Sequence, residues 1–233
     1  MMNNQPTKTS RRAFVSSLAL GATAGLAGIS NPVSASVTND FLGISPLNKT
    51  SGQVDEALKN AGKKTFPVAF DGSQANPWPI IWSNVYYITN EMSGIENSGL
   101  GVIGILRHSG ILFTFKDEVV EKYELGKVFG HDDPLTGKPA LRNTMWDPKE
   151  GTLPPGLTGV QGLIAKGELF CACDMAYRHY SGNIAKERGL KPEDVYNDFV
   201  AHKHDGIHLS PSGVWALGRM ATYGISYIDA SVG

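Results

Sequence analysis

Cys171 and Cys173 are the only cysteines in the chain, and they stand two apart in the run LFCACD that ends at Asp174. The thiolate is the reactive form of cysteine, and an adjacent helix N-terminus or cation favours it. The run 169–173 reads as a short buried strand, and 174–189 as the helix that follows, closed by a glycine cap. Cys173 therefore sits where a strand ends and a helix dipole begins, and it is the candidate catalytic thiolate. Residues two apart on a strand point to one face, so both sulfurs are expected to line the same pocket. Cys171 is the weaker candidate, because cysteine is also a common small core residue. Asp174 is a possible ligand-binding group at the same junction, although its carboxylate would oppose a thiolate beside it.

Histidine supplies a second kind of chemistry. His202, His204 and His208 form the densest histidine cluster, with Asp205 among them. Imidazole and carboxylate together suit zinc or copper. A glycine at 206 is expected to end any helix there, so 204 and 208 need not share a face, and a solvated helix-to-strand loop is the simpler reading. His108 follows a predicted strand and is placed to line the same carboxyl-end crevice as Cys173. Asp132, Asp133, Arg142 and Asp147 are expected to be solvated loop charges. The run GLGVIG at 99–104 has the spacing of a dinucleotide fingerprint. That chemistry needs a strand before the glycines and a helix after them, and here the order is reversed. The run is read as a helix stop and turn.

These residues need a scaffold, and the apolar pattern supplies one. Short apolar runs at 65–70, 102–107, 169–173, 207–209 and 225–228 read as strands. Helical periodicity covers 78–92, 117–125, 157–166, 174–189 and 192–202, and a last helix is expected to open at Ser210-Pro211. Strands alternating with helices imply right-handed crossovers and a doubly wound α/β fold, its mainly parallel sheet covered on both faces. The segment 128–153 is crowded with Pro, Gly, Asp and Asn and is expected to be a long loop inserted in the domain. Loops of that length commonly serve as lids, binding loops or interface arms.

The first residues carry an address rather than a fold. Ser10-Arg11-Arg12-Ala13-Phe14 is followed by an uncharged run at 15–29 and by Val33-Ser34-Ala35, a small-x-small cleavage pattern. This is the layout of a twin-arginine export signal over residues 1–35, with Arg11 and Arg12 as its recognition pair. The run falls short of the ~20 apolar residues of a spanning helix, so no stable membrane span is expected in the mature chain. Export through the twin-arginine translocase implies a periplasmic location. Beyond residue 35, 18 basic residues face 22 acidic ones, a balance that argues against nucleic acid as a partner. Residues 36–62 read as a weakly structured lead-in, and 63–233 as one domain.

Several segments together resemble the DsrE-like proteins, a sulfur-relay family. They are Leu106-Arg107-His108, then Glu121-Lys122-Tyr123, then Gly167, Phe170, Cys173 and Ala176 at their spacing, and the closing run from Ser212 to Ile228. The resemblance implies a doubly wound α/β/α sandwich, frequent homo- or hetero-oligomers, and a sulfur donor or acceptor as partner. In relay members a cysteine in this region carries sulfur as a persulfide, and Cys173 is the matching position. This chain departs from the pattern in its export signal, its 128–153 insertion and its second cysteine. The resemblance thus implies an exported sulfur- or redox-handling protein. The alternative is a non-catalytic periplasmic protein that binds a metal or small ligand near His108 and the 202–208 histidines, or an oligomeric assembly module.

Overall fold

The structure, a computed structural model, describes residues 49–232. Arg11, Arg12 and the rest of the 1–35 segment lie outside the described residues, as does the first half of the 36–62 lead-in. In chain order the elements are α1 (Lys49–Gly62), β1 (Phe66–Gly72), α2 (Trp78–Met92), β2 (Leu100–Leu106), α3 (Asp117–Lys122) and α4 (Leu125–Phe129). They continue with the two-residue strands β3 (Asp132–Asp133) and β4 (Lys138–Pro139), then α5 (Val160–Ala165) and β5 (Leu169–Cys173). The chain closes with α6 (Asp174–Arg188), α7 (Pro192–Ala201), β6 (Ile207–Ser210), α8 (Gly213–Thr222) and β7 (Ser226–Asp229).

Five strands form one parallel sheet in the order β6-β5-β2-β1-β7, and the fold is doubly wound α/β. From β1 the chain steps through β2 and β5 to β6 in one direction, then returns across the sheet to place β7 beside β1. Right-handed crossovers require that reversal to move the connecting helix to the other face. The core shows it. Val68, Phe70, Val102, Leu106 and Phe170 pack with α2, α5, α6 and α7 through Ile80, Leu163, Tyr177 and Phe199. The alternate residues Ala69, Ile103, Ile105 and Cys171 pack with α1 and α8 through Val54, Leu58, Ala216 and Met220. Strand alternation thus sorts the sheet into two apolar cores.

Helix α1 corrects the weakly structured lead-in expected over 36–62 for its described part, 49–62. Val54 and Leu58, one helical turn apart, are both buried, and Ala61 packs beside them. So few large apolar residues leave a thin helical stripe, yet the face it covers above β2, β5 and β6 needs no more. The helix expected over 117–125 divides at Glu124, whose left-handed backbone (φ 48°) separates α3 from α4. Helix α8 starts later than Ser210-Pro211 implied. Its N-cap is Ser212, whose Oγ accepts from the Trp215 N–H at 3.0 Å.

The fingerprint-like glycines are packing residues. Gly99 ends a short turn, whereas Gly101 and Gly104 lie within β2. A Cβ at Gly101 would stand 2.3 Å from the Ala61 carbonyl oxygen of α1, and one at Gly104 would stand 2.4 Å from the Phe170 ring. Glycine here lets a helix and an aromatic ring close onto the strand.

The 128–153 insertion is fastened to the domain. His131 is held between the Ala75 carbonyl (2.9 Å) and the Thr144 hydroxyl (2.7 Å). Asn143 donates to the Phe115 carbonyl at 2.8 Å, and its Oδ1 accepts the N–H groups of Met145 and Trp146. Asp133 and Arg142 form a paired, largely buried bridge with hydrogen bonds of 2.7 and 3.0 Å, which corrects their reading as solvated charges. The loop's polar groups that go inside are thus mostly partnered, as burial demands, the Thr152 hydroxyl being an exception.

Candidate functional site

Ligands of open α/β sheets bind outside the carboxyl ends of strands, where neighbouring strands send their helices to opposite faces. β5 and β6 meet that condition, since α6 lies on one face and α8 on the other. Between them opens a cavity of about 640 Å³ lined by Cys173, Met175, Ala176, Tyr180, Gly213 and Val214, with Arg107, His108 and His179 completing the wall. Its size is ordinary for a small-molecule site.

Cys173 is 7 % exposed and is itself the N-cap of α6. Its Sγ accepts the Ala176 N–H at 3.3 Å, the place a serine or aspartate oxygen commonly takes. The sulfur therefore faces the positive end of a helix. Cys171 does not join it. Cys171 is fully buried in the α1/α8 core, and burial pushes its thiol up to about 12. The expectation that both sulfurs line one pocket fails because Cys171 packs into the α1/α8 core, whereas Cys173, where β5 turns into α6, packs with the core on the other face. Only the strand's last residue reaches the place where α6 and α8 diverge.

His108 adopts a left-handed backbone (φ 48°) two residues after the end of β2, a conformation that strains a side chain bearing a Cβ. The turn projects the imidazole over the strand ends, where the Tyr180 hydroxyl lies 3.2 Å from its ring nitrogens and the two rings meet edge to face. Arg107, the preceding residue, is anchored by fully buried Asp71 on β1 through hydrogen bonds of 2.8 and 2.9 Å. The Tyr227 hydroxyl donates to the same carboxylate at 3.0 Å. Asp71 keeps the guanidinium protonated and offsets its charge.

A second cavity of about 650 Å³ adjoins the first and shares Arg107 and His108 with it. Its remaining wall mixes polar Ser73, Gln74, Asn76 and Ser109 with Ala75, Phe129 and Gly130. Ser109 stiffens this wall, accepting the Ala75 N–H at 3.2 Å and donating to the Ser73 carbonyl. Ser73 in turn donates to Ser231 at 2.8 Å.

The other sequence candidates lie elsewhere. Asp174 is a helix tie rather than a ligand group: it accepts from Arg178 at 2.9 Å and from the Tyr196 hydroxyl at 2.6 Å, joining α6 to α7. His202, His204 and His208 do not converge. His202 is turned back to the Asp198 carbonyl at 2.9 Å, and His208 is exposed on edge strand β6 opposite Cys171. His204 stacks flat on Trp146, ring centroids 3.7 Å apart, and burial beside Lys116 pushes it down to about 4. Among the described residues no group of three or more His, Cys, Asp or Glu is gathered as a metal ion would need. Gly206, with φ 84°, turns the chain between His204 and His208, which is why their spacing builds no common face.

The sequence reading named Cys173 and His108 but missed Tyr180 and Asp71. The Tyr180 signal was present: Cys173, Ala176 and Tyr180 follow the i, i+3, i+7 spacing of one helix face. Asp71 offered only its position at the end of a strand. No family model, curated protein or solved structure matches this chain. Among the described residues no helix is long and apolar enough to cross a membrane.

Proposed function

We propose that this chain is an exported, DsrE-like sulfur-handling protein in which Cys173 holds sulfane sulfur as a persulfide. One observation carries the reading: the Cys173 sulfur borders the crevice between diverging α6 and α8 while it accepts an N–H at a helix start. The start of a helix is a place anions favour, and a thiolate nucleophile and a persulfide anion are both anions. His108 and Tyr180 stand in the same wall as polar partners for a proton. The export part rests on Arg11 and Arg12 and the cleavage pattern after them, and the resemblance adds an expectation of homo-oligomers.

Incubation with a sulfane-sulfur donor is expected to add one sulfur atom, about 32 Da, to the intact protein. The adduct should be absent from Cys173→Ser and present in Cys171→Ala. An unchanged mass, or an adduct that survives Cys173→Ser, overturns the proposal. Cell fractionation checks the address, with the protein in the periplasm and the Arg11→Lys/Arg12→Lys variant retained inside.

A further inference from the structure

Two adjoining cavities, one of them bordered by Cys173, imply a substrate with two unlike ends. Resting on the carrier reading above, we infer that the sulfur partner of Cys173 is a small organic thiol, arriving as its persulfide. Its sulfur end enters the Cys173 cavity and its polar body occupies the neighbouring one. Most of the Cys173 cavity wall is carbon, with Met175, Ala176 and Val214 beside the sulfur, and that surface offers nothing to a hydrated inorganic anion; Arg107, His108, His179, Tyr180 and Ser212 supply its fewer polar groups. Arg107 stands at the junction, but two of its N–H groups are already given to Asp71, which also offsets its charge. The mouth is thus a weak trap for sulfide or polysulfide ions.

Beyond Arg107 and His108 the wall changes character. Ser73, Asn76 and Ser109 line it with hydroxyls and an amide held in place by Ser231, Trp78 and Ala75, and Gln74 offers the donor and acceptor that a peptide-like or amino-acid-like body uses. Gln74 is exposed on this wall, so its amide is open to a ligand. The two volumes, about 640 and 650 Å³, are far larger than a chain of a few sulfur atoms needs.

The step balances without an added oxidant. The Cys173 thiolate attacks the terminal sulfur of R–S–SH. A new S–S bond forms at Cys173, the donor S–S bond breaks, and its electron pair leaves on R–S⁻. The terminal sulfur keeps its proton, so the products are the Cys173 persulfide and the free organic thiolate.

Loading of the full protein by two probes, glutathione persulfide and inorganic tetrasulfide, tests this by the rate of appearance of the one-sulfur adduct. Glutathione persulfide is expected to load Cys173 at least about ten-fold faster. Filling the polar cavity with Gln74→Trp should lower the ratio of the two rates by about ten-fold. S-methylglutathione, which has the same body and no free thiol, should slow alkylation of Cys173 in the unaltered protein, a readout that needs no variant. Equal loading by both donors, with the ratio unmoved by Gln74→Trp and no protection by S-methylglutathione, overturns the substrate class and leaves the carrier reading standing. Loading by neither donor overturns the carrier reading and this inference with it.

Discussion

Arg107 grips Asp71 through two parallel hydrogen bonds of 2.8 and 2.9 Å, tying the end of β2 to the end of β1 beneath both cavities. The partners are unequally placed. Asp71 is fully buried, whereas the Arg107 side chain is 31 % exposed. Removing the arginine strands a carboxylate inside the protein with only Tyr227 as a side-chain donor, whereas removing the carboxylate leaves a guanidinium that can reach water. Arg107→Met is therefore expected to destabilise by roughly 3–5 kcal/mol and Asp71→Asn by less, about 1–3 kcal/mol. Urea unfolding midpoints check the order. A larger loss from Asp71→Asn would contradict the burial argument.

Glu168 predicts a pH dependence of stability. Its carboxyl lies just before β5, fully buried, with Oε1 accepting from Ser83 at 2.7 Å and Oε2 without a hydrogen-bond partner. Burial raises it from 4.5 to about 8, so the folded protein holds this proton more tightly than the unfolded chain does. The stabilisation is complete below pH 4.5 and is lost as pH rises through 8. The difference is on the order of 3–5 kcal/mol. Glu168→Gln keeps the shape without the charge and should remove this decline, so the variant gains on the parent most clearly above pH 8. Unfolding curves from pH 5 to 9 read the difference. Parallel curves for the two proteins would show that Glu168 does not titrate in this way.

Much of the fold was legible because its strands are short apolar runs punctuated by turn residues. β5 and α6 stand close to where their sequence puts them, since Cys173 ends the one and caps the other. What escaped was set by distance and by thin patterns. Arg107 and Asp71 lie 36 residues apart, and no local spacing announces that they meet. Helix α1 shows only Val54 and Leu58 as its large buried residues. The three histidines do not converge because Gly206 turns the chain between them, and that glycine was visible in the sequence. For the site itself, the end of a strand was enough to mark His108 and Cys173. The wall that makes them a cavity comes from α6 and the start of α8, which only the crossover reversal brings together.

Gly101 distinguishes a packing glycine from a cofactor glycine. A methyl group there would meet the Ala61 carbonyl oxygen at 2.3 Å and the Lys64 side chain at 3.2 Å, on the face where α1 crosses β2. Backbone cannot swing aside as a flexible side chain can, so α1 must shift. Gly101→Ala is expected to lower stability by about 1–3 kcal/mol. The loss should be smaller in a chain already lacking α1 packing, such as Leu58→Ala, because the two changes act on one contact. A thermodynamic cycle of the four proteins measures that coupling. Additive losses would mean that the glycine serves something other than the α1 contact.

The two cysteines should differ sharply toward an alkylating agent. Cys173 borders the cavity and its sulfur faces the start of α6, whereas Cys171 is sealed between β2 and α8 with its thiol pushed up to about 12. Iodoacetamide acts on the thiolate, so access and charge favour the same residue. Native protein is expected to take one label, on Cys173, at a rate at least about ten-fold above that of Cys171. Protein unfolded in urea should take two. Cys173→Ser should leave the folded protein unlabelled over the same interval, and peptide mapping assigns each site. Equal labelling of both cysteines in the folded state would mean that the α1/α8 core opens as readily as the cavity. No labelling before unfolding would mean that the Cys173 sulfur is closed to small reagents, and the proposed transfer chemistry would lose its entry.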